Sequence, residues 1–488
     1  MAKLKNIIRQ LSEKDFQSIH DSLITSNAEK SAYLMRSLRD LNLSDSKIMI
    51  ELDVNANAYY TLRSRLNQRI EEHLLQQMES PRTDILKKLA NINEVTFARK
   101  RTISIATLKK IEKELIDYDL ANELTVVYKY LRKLHIHSPE QFNYSQLYNR
   151  HVAYTLAIDK AENLLADYFK KYGNFYFSAS PEDKLSLRLQ LKEMENVARL
   201  YQSHRLYVFL SCMNIFHQLF VEPDVAPAQG SEAAEDIFLN VQRIFESHPL
   251  DPLYYHLNLV FEFLRLEYYN HYRVFKQAEK YYEEINDAAV NLLMNYGHYT
   301  FSPQFLISKL TRALRLGTEA ELFAETDNLF REFETYPDDI PSMTVYYVYR
   351  SLASYYVGKF DEAARILNTL LNEVSLKSFP LVHLEVKTLL ALQYCLIGDD
   401  DLFNQLSNSI QRQARSFEKE ESENIQLFLK MLKYSVSEAA REKQRKIIGV
   451  AERLRQLPQC PYFSPTSFVR LDDGLVKRLT RPEHYTAI

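Results

Sequence analysis

"YYVGKFDEAARIL" spans residues 355–367, and its reading decides the fold. An apolar helical pattern ends on Val357, Gly358 interrupts it, and a second helical pattern begins at Phe360. Glycine takes the left-handed conformation that ends a helix without a Cβ penalty. The same setting recurs before it at Gly317, in "TRALRLGTEAELFAE", and after it at Gly398, in "ALQYCLIGDDDLFNQL", at nearly equal intervals. Each glycine follows an aliphatic residue (Leu316, Val357, Ile397), and five residues on stands a small or apolar one (Leu322, Ala363, Phe403). This period holds two helices of about 15 residues and two short turns, the signature of a solenoid of helical hairpins.

Three of the chain's 8 glycines therefore mark one row. Average usage of about 7% would give about 34 in a chain of this length. Sheet proteins need glycine in turns and bulges. A chain this poor in glycine, with 15 Pro, no Trp and 33 Tyr, is expected to be all-α. The fold class is an α–α superhelix of hairpins behind an N-terminal helical segment. Weaker copies flank the row. "VFKQAEKYYEEI" places Phe275 and Ala278 two periods before Phe360 and Ala363, and "GSEAAEDIFLNVQRIFESHPLDP" (230–252) has the form of a preceding second helix. Ala121 and Ala161 are one period apart. Pro223, Pro227 and Gly230 mark a boundary. The organisation expected is 1–115 helical, 116–228 helical hairpins, 229–412 repeats with a period of 40–44, and 413–488 helices with an irregular tail. Pro458, Pro461, Pro465 and Pro482 stop any long helix there, leaving a docked extension or a disordered one.

Residues 344–374 resemble a tetratricopeptide repeat. Tyr355, Tyr356, Gly358, Phe360, Asp361, Glu362, Ala363 and Leu367 carry the resemblance. It extends in part over 230–412. The chain departs from the family in a turn one residue short, in Leu352 and Phe403 where small residues are usual, and in a period longer than 34. The whole chain is similar in architecture to bacterial proteins with an N-terminal helical segment followed by such repeats, which implies no activity. The family's first-helix positions imply a groove for a protein or peptide partner, lined by Ser308, Arg312, Arg315, Tyr346, Tyr349, Tyr356 and Gln393. Arginines there would pair with acidic groups and tyrosines would supply packing. Tyrosine doublets (254–255, 268–269, 281–282, 346–347, 355–356) fit one ring in the core and one at a surface.

Residues 44–66, "SDSKIMIELDVNANAYYTLRSRL", resemble a DNA-binding helix-turn-helix. Ser44 is a candidate cap for the first helix and Asn55 for the second, which runs toward Gln77. Ile48, Leu52, Val54, Tyr59 and Leu62 fall at its apolar positions. The resemblance puts Asn55, Asn57, Tyr60, Thr61, Arg63 and Arg65 on the nucleic-acid side. Asp53 stands where the turn usually has glycine, and Met49 where a small residue is usual. Any helical array also contains such hairpins. A basic run, "ARKRTISIATLKK" (98–110), lies downstream.

Charge is uneven. Residues 1–115 carry 20 Lys/Arg against 15 Asp/Glu, 116–411 carry 26 against 39, and 412–488 carry 15 against 10. The basic ends hint at an anionic partner, or at packing on the acidic middle. The two glycines nearest to each other are Gly297 and Gly317, too far apart for one loop. That excludes the P-loop, the dinucleotide fingerprint, the kinase loop and the nucleophile elbow. Cys212, Cys395 and Cys460 form no CxxC pair. His135 with His137 lacks a third ligand, and Glu267 with His271 fits a helix-surface pair better than a di-iron motif. "GDDD" (398–401) is a turn with a capping Asp. Cys460, between two prolines, is expected to be exposed. The start lacks a signal peptide's apolar core, and "LYVFLSCMNIFHQLF" (206–220) is too short and polar for a membrane span.

The expectation is a non-enzymatic, cytoplasmic interaction scaffold without cofactor or metal. The alternative is a cytoplasmic transcriptional regulator that binds DNA through 44–77 and senses through its repeats.

Overall fold

The computed structural model describes residues 4, 8, 11, 13–26, 28–39, 45–77, 81–98, 100–201, 203–223, 232–248, 252–330, 338–437 and 440–480. Among them are 24 α-helices, two short 3-10 helices and no strand. The all-α array of helical hairpins expected from the sequence is the fold. The chain divides into two compact units, one of residues 1–117 and 126–144, the other of 118–125 and 145–488.

In the first unit, α1 (Glu13–Thr25), α2 (Glu29–Arg39), α3 (Asp45–Glu51) and α4 (Ala56–Gln77) enclose a core of Ile19, Leu34, Met35, Ile48, Tyr59 and Leu66. Next come α5 (Pro81–Ala90), α6 (Ile92–Ala98) and α7 (Arg101–Asp117), packed on one another. Then follow α8 (Ala121–Leu134), which belongs to this unit from residue 126, and the long α9 (Glu140–Ser178), which belongs to the second unit from residue 145.

In the second unit, α10 (Pro181–Leu200) packs on α11 (His204–Phe220), whose Phe209, Cys212 and Phe216 are wholly buried. The apolar stretch 206–220 is thus a core helix. After α12 (Ala234–Ser247) come five hairpins. Their first helices are α13 (Pro252–His271), α16 (Gln304–Leu316), α18 (Ile340–Tyr356), α20 (Pro380–Ile397) and α22 (Glu423–Ser437). Their second helices are α14 (Phe275–Asp287), α17 (Glu321–Phe330), α19 (Phe360–Glu373), α21 (Asp400–Ala414) and α23 (Ala440–Gln456). A short α15 (Ala289–Asn295) separates the first hairpin from the next, and α24 (Asp473–Thr480) closes the described chain. First helices pack on first helices, as α16 does on α18 and α20 on α22.

The turns follow one rule. Gly317, Gly358 and Gly398 have φ of 77°, 80° and 86°. In each case the next amide reaches back five residues to a carbonyl: Thr318 to Ala313 (3.1 Å), Lys359 to Ser354 (3.0 Å), Asp399 to Tyr394 (3.0 Å). This bond satisfies a carbonyl that the helix end leaves open. Leu322, Ala363 and Phe403, five residues past each glycine, are buried. A fourth copy was invisible in the glycine pattern. Arg273, two periods before Gly358, has φ of 59°, and Val274 N–H donates to Tyr269 O at 2.8 Å. "GDDD" forms the expected cap, with Asp399 Oδ1 accepting from Leu402 N–H at 3.0 Å.

One described helix, α20, is long and apolar enough to cross a membrane. It is also closely enclosed within the row, with Val382, Leu384, Val386, Leu389 and Leu392 all buried.

Candidate functional site

The structure redistributes the seven groove residues. Ser308 is buried, and its hydroxyl donates to Glu267 Oε1 at 2.6 Å. Gln393 is fully buried, its amide turned back on its own helix toward Leu389 O at 3.3 Å. Tyr349 is fully buried against Phe330 (centroids 5.8 Å apart), and Tyr346 lies edge-on to the same ring at 4.4 Å. These four belong to the packing between helices and line no open groove. The family's positional rule fails here because the first helices are covered on more than one side.

Arg312 is half-buried and Arg315 exposed, and their acidic partner lies within the chain. Arg312 Nε donates to Glu279 Oε2 at 2.8 Å, and Arg315 donates to Oε1 at 2.8 Å. Their guanidinium planes lie over Tyr282 (4.0 Å) and Phe275 (3.8 Å). Burial alone would raise the Glu279 carboxyl, but the two arginines outweigh it and hold the group below its ordinary range. Both cations thus join a first helix to the second helix of the preceding hairpin.

Tyr356 shows what covers the first helices. Its hydroxyl donates to Phe468 O at 2.6 Å and accepts from Arg470 N–H at 3.1 Å. The chain's own segment after α23 lies across this face. Of the two outcomes expected for the tail, residues 458–480 are docked; 481–488 fall outside the described residues. Pro465–Phe468 form a 3-10 turn against α16 and α20. Tyr462, Phe463, Thr466, Phe468 and Val469 are buried. The Phe463 ring stacks on Phe177 at 5.0 Å, and Phe463 N–H donates to Tyr176 O at 2.8 Å. Arg470 reaches Leu314 O and Glu319 on the second hairpin. Cys460, expected to be exposed, is half-buried, and Asn424 Nδ2 donates to its Sγ at 3.2 Å.

The residue at the centre of this contact was not legible in the sequence. Glu385, in the second turn of α20, is fully buried. Its Oε2 accepts from Thr466 N–H (3.2 Å) and Thr466 Oγ1 (2.6 Å), and its Oε1 accepts from Asn424 Nδ2. Burial raises its carboxyl above the ordinary range, against the opposing pull of these donors. An apolar-looking helix carrying one acid was the available signal. Glu267 is a second buried acid. The reading of Glu267 with His271 as a surface pair is corrected: Glu267 is core, and desolvation pushes its carboxyl up to about 7 against the Ser308 hydrogen bond.

In the first unit the two helices expected around residues 45–77 are joined by a tight turn. Ile48, Leu52 and Tyr59 are buried, with Val54 and Leu62 half-buried. Asp53 takes the glycine position of the turn with φ of 49°, and Val54 N–H donates to Met49 O at 3.1 Å. Asn55 caps α4, accepting from Ala58 N–H at 2.8 Å. Asn55, Thr61 and Arg65 are exposed. Arg63 is half-buried, 5.7 Å from the centroid of the Tyr59 ring. Ser44 and the side chains of Asn57 and Tyr60 lie outside the described residues. Of the basic run, Lys100, Arg101, Lys109 and Lys110 are exposed, with Arg101 Nε donating to Leu134 O at 2.6 Å.

Among the described residues no three His, Cys, Asp or Glu side chains are placed to hold a metal ion. Comparison of the chain with protein-family models, with curated proteins and with solved structures returns no match.

Proposed function

We propose that the chain is a non-enzymatic interaction module, a tetratricopeptide-like array whose first helices hold an extended segment of a partner protein. The observation that supports this most is the contact already made within the chain. Side chains of Tyr356 and Glu385 bond the backbone of an irregular segment at Phe468, Arg470 and Thr466. Helices that read another segment's amides and carbonyls through their side chains are equipped for peptide recognition. The array works in the cytoplasm in this reading. Cross-linking in the native cell, followed by mass spectrometry, tests it. Links from a partner should fall on α16, α18, α20 and α22; a partner that links only elsewhere sinks it.

A second reading has its own support, the turn at Asp53 in the glycine conformation above an exposed Arg65. It makes the chain a cytoplasmic regulator that docks α4 on duplex DNA. The full chain should then retard duplex DNA at about 50 mM salt and lose affinity steeply as salt rises. Retardation unchanged by Arg65→Glu, or none at all, removes it.

A further inference from the structure

The segment after α23 is built like a ligand. Pro458 and Pro461 make its tether non-helical. Beyond them, among the described residues, it adds one backbone–backbone bond to the body of the unit, from Phe463 N–H to Tyr176 O. The rest of its hold comes from side chains. Aromatic and apolar groups sink into the face: Tyr462, Phe463 beside Phe177, Phe468 beside Phe463 (6.2 Å), and Val469. Polar contacts then fix its register, among them those at Glu385, Tyr356, Glu319 and Leu314 O.

The source of its donors sets Glu385 apart from the other buried acid, Glu267, whose partner Ser308 belongs to the array itself. A carboxylate on a buried helix is costly unless its donors are supplied. Thr466, 81 residues away, supplies two donors to its oxygens, and Asn424 on α22 supplies another. An apolar residue on α20 would pack a permanent tail at lower cost. An acid that meets a backbone amide and a hydroxyl together selects a particular segment in a particular register.

We propose that Gln459–Leu471 is a detachable internal ligand of the first-helix face. The partner of that face then presents an extended segment of the same chemistry: two adjacent aromatics, then Ser-Pro-Thr, then a third aromatic and a cation. This rests on the interaction reading above and specifies its partner. The segment occupies the face until such a partner displaces it, so the apparent affinity for the partner is lowered by the closed fraction.

The test uses the full chain and a labelled synthetic peptide of residues 459–471. The peptide should bind the wild-type chain, and a scrambled peptide should not. Thr466→Val in the chain removes the hydroxyl bond to the Glu385 carboxyl group and loosens its own segment. It should therefore raise affinity for the wild-type peptide about tenfold. Amide exchange across 384–392 should be unchanged, which shows that the array remains folded. In the wild type, residues 459–471 should exchange at least about a hundredfold faster than 384–392. Exchange of both regions at one rate makes the segment permanent core and overturns the proposal. So does a Thr466→Val chain whose affinity for the peptide is unchanged or lower. Cross-links from a partner on the first helices, found together with absent peptide binding, leave the interaction reading standing and remove only this segment.

Discussion

Residues 252–456 and residues 457–471 differ in how their backbone polar groups are satisfied. In the hairpins, amides and carbonyls bond within each helix, and the open ends are closed locally by left-handed turns and aspartate caps. The hairpins can therefore recur with little regard to what lies beside them. The segment that follows has one short 3-10 turn, so its backbone depends on side chains placed far away in the chain, as Thr466 does on Glu385 and Phe468 on Tyr356. The contrast teaches where to look for specificity. Both buried acids have partners, but Glu267 takes its donor from Ser308 inside the array, whereas Glu385 takes two of its donors from Thr466 of the irregular segment.

The largest expected effect separates two tyrosines that the sequence pattern treated alike. Tyr349→Ala removes a ring from the hairpin core and should cost about 3–5 kcal/mol of global stability in denaturant titration. Tyr356→Ala should mainly release the segment, speeding exchange at 459–471 while the main unfolding transition moves little. Equal losses for both would erase the distinction between array and segment.

Next is a comparison of the two buried acids. Glu267 is satisfied inside the array by Ser308, and its folded pKa of about 7 lies above the ordinary carboxyl value. A raised acid pKa means that stability is full at low pH and falls as pH rises from about 4.5 through about 7. Glu267→Gln should therefore stabilise by about 3 kcal/mol at pH 8 and give little at pH 4. Thermal unfolding at the two pH values checks this. A gain that does not vary with pH would show that Glu267 is ionised without penalty.

The smallest effects test the turns. Gly358→Ala forces a side chain into the left-handed region and should destabilise by about 1 kcal/mol. Arg273→Gly relieves the same conformation and should stabilise by about 1 kcal/mol. Shifts of the same sign in both would break the equivalence of these two turns.

The helix ends, the hairpin period and the apolar positions between Ile48 and Leu62 were legible because each depends on a handful of adjacent residues. Gly317, Gly358 and Gly398 announce a backbone conformation that few other residues adopt. Arg273 was not legible as such a turn, because its side chain tolerates the conformation without advertising it, whereas the residues around Asp53 had already placed a turn there. The groove was misplaced for a different reason. Ser308, Tyr346, Tyr349 and Gln393 lie on first helices as expected, but a helix's open side is set by its neighbours. Glu267 was assigned to a surface pair on spacing alone, although spacing fixes which residues share a face and leaves open what that face meets.

The sequence by itself determined that this is a helical-hairpin array and where most of its hairpins turn, since capping and amphipathic periodicity are local. Only the tertiary structure decided which face is covered, and by what. The bonds that decide it, Glu385 to Thr466 and Tyr356 to Phe468, join residues 81 and 112 apart. No local pattern encodes them, because each end looks like an ordinary helix residue or an ordinary tail residue until the chain brings them together.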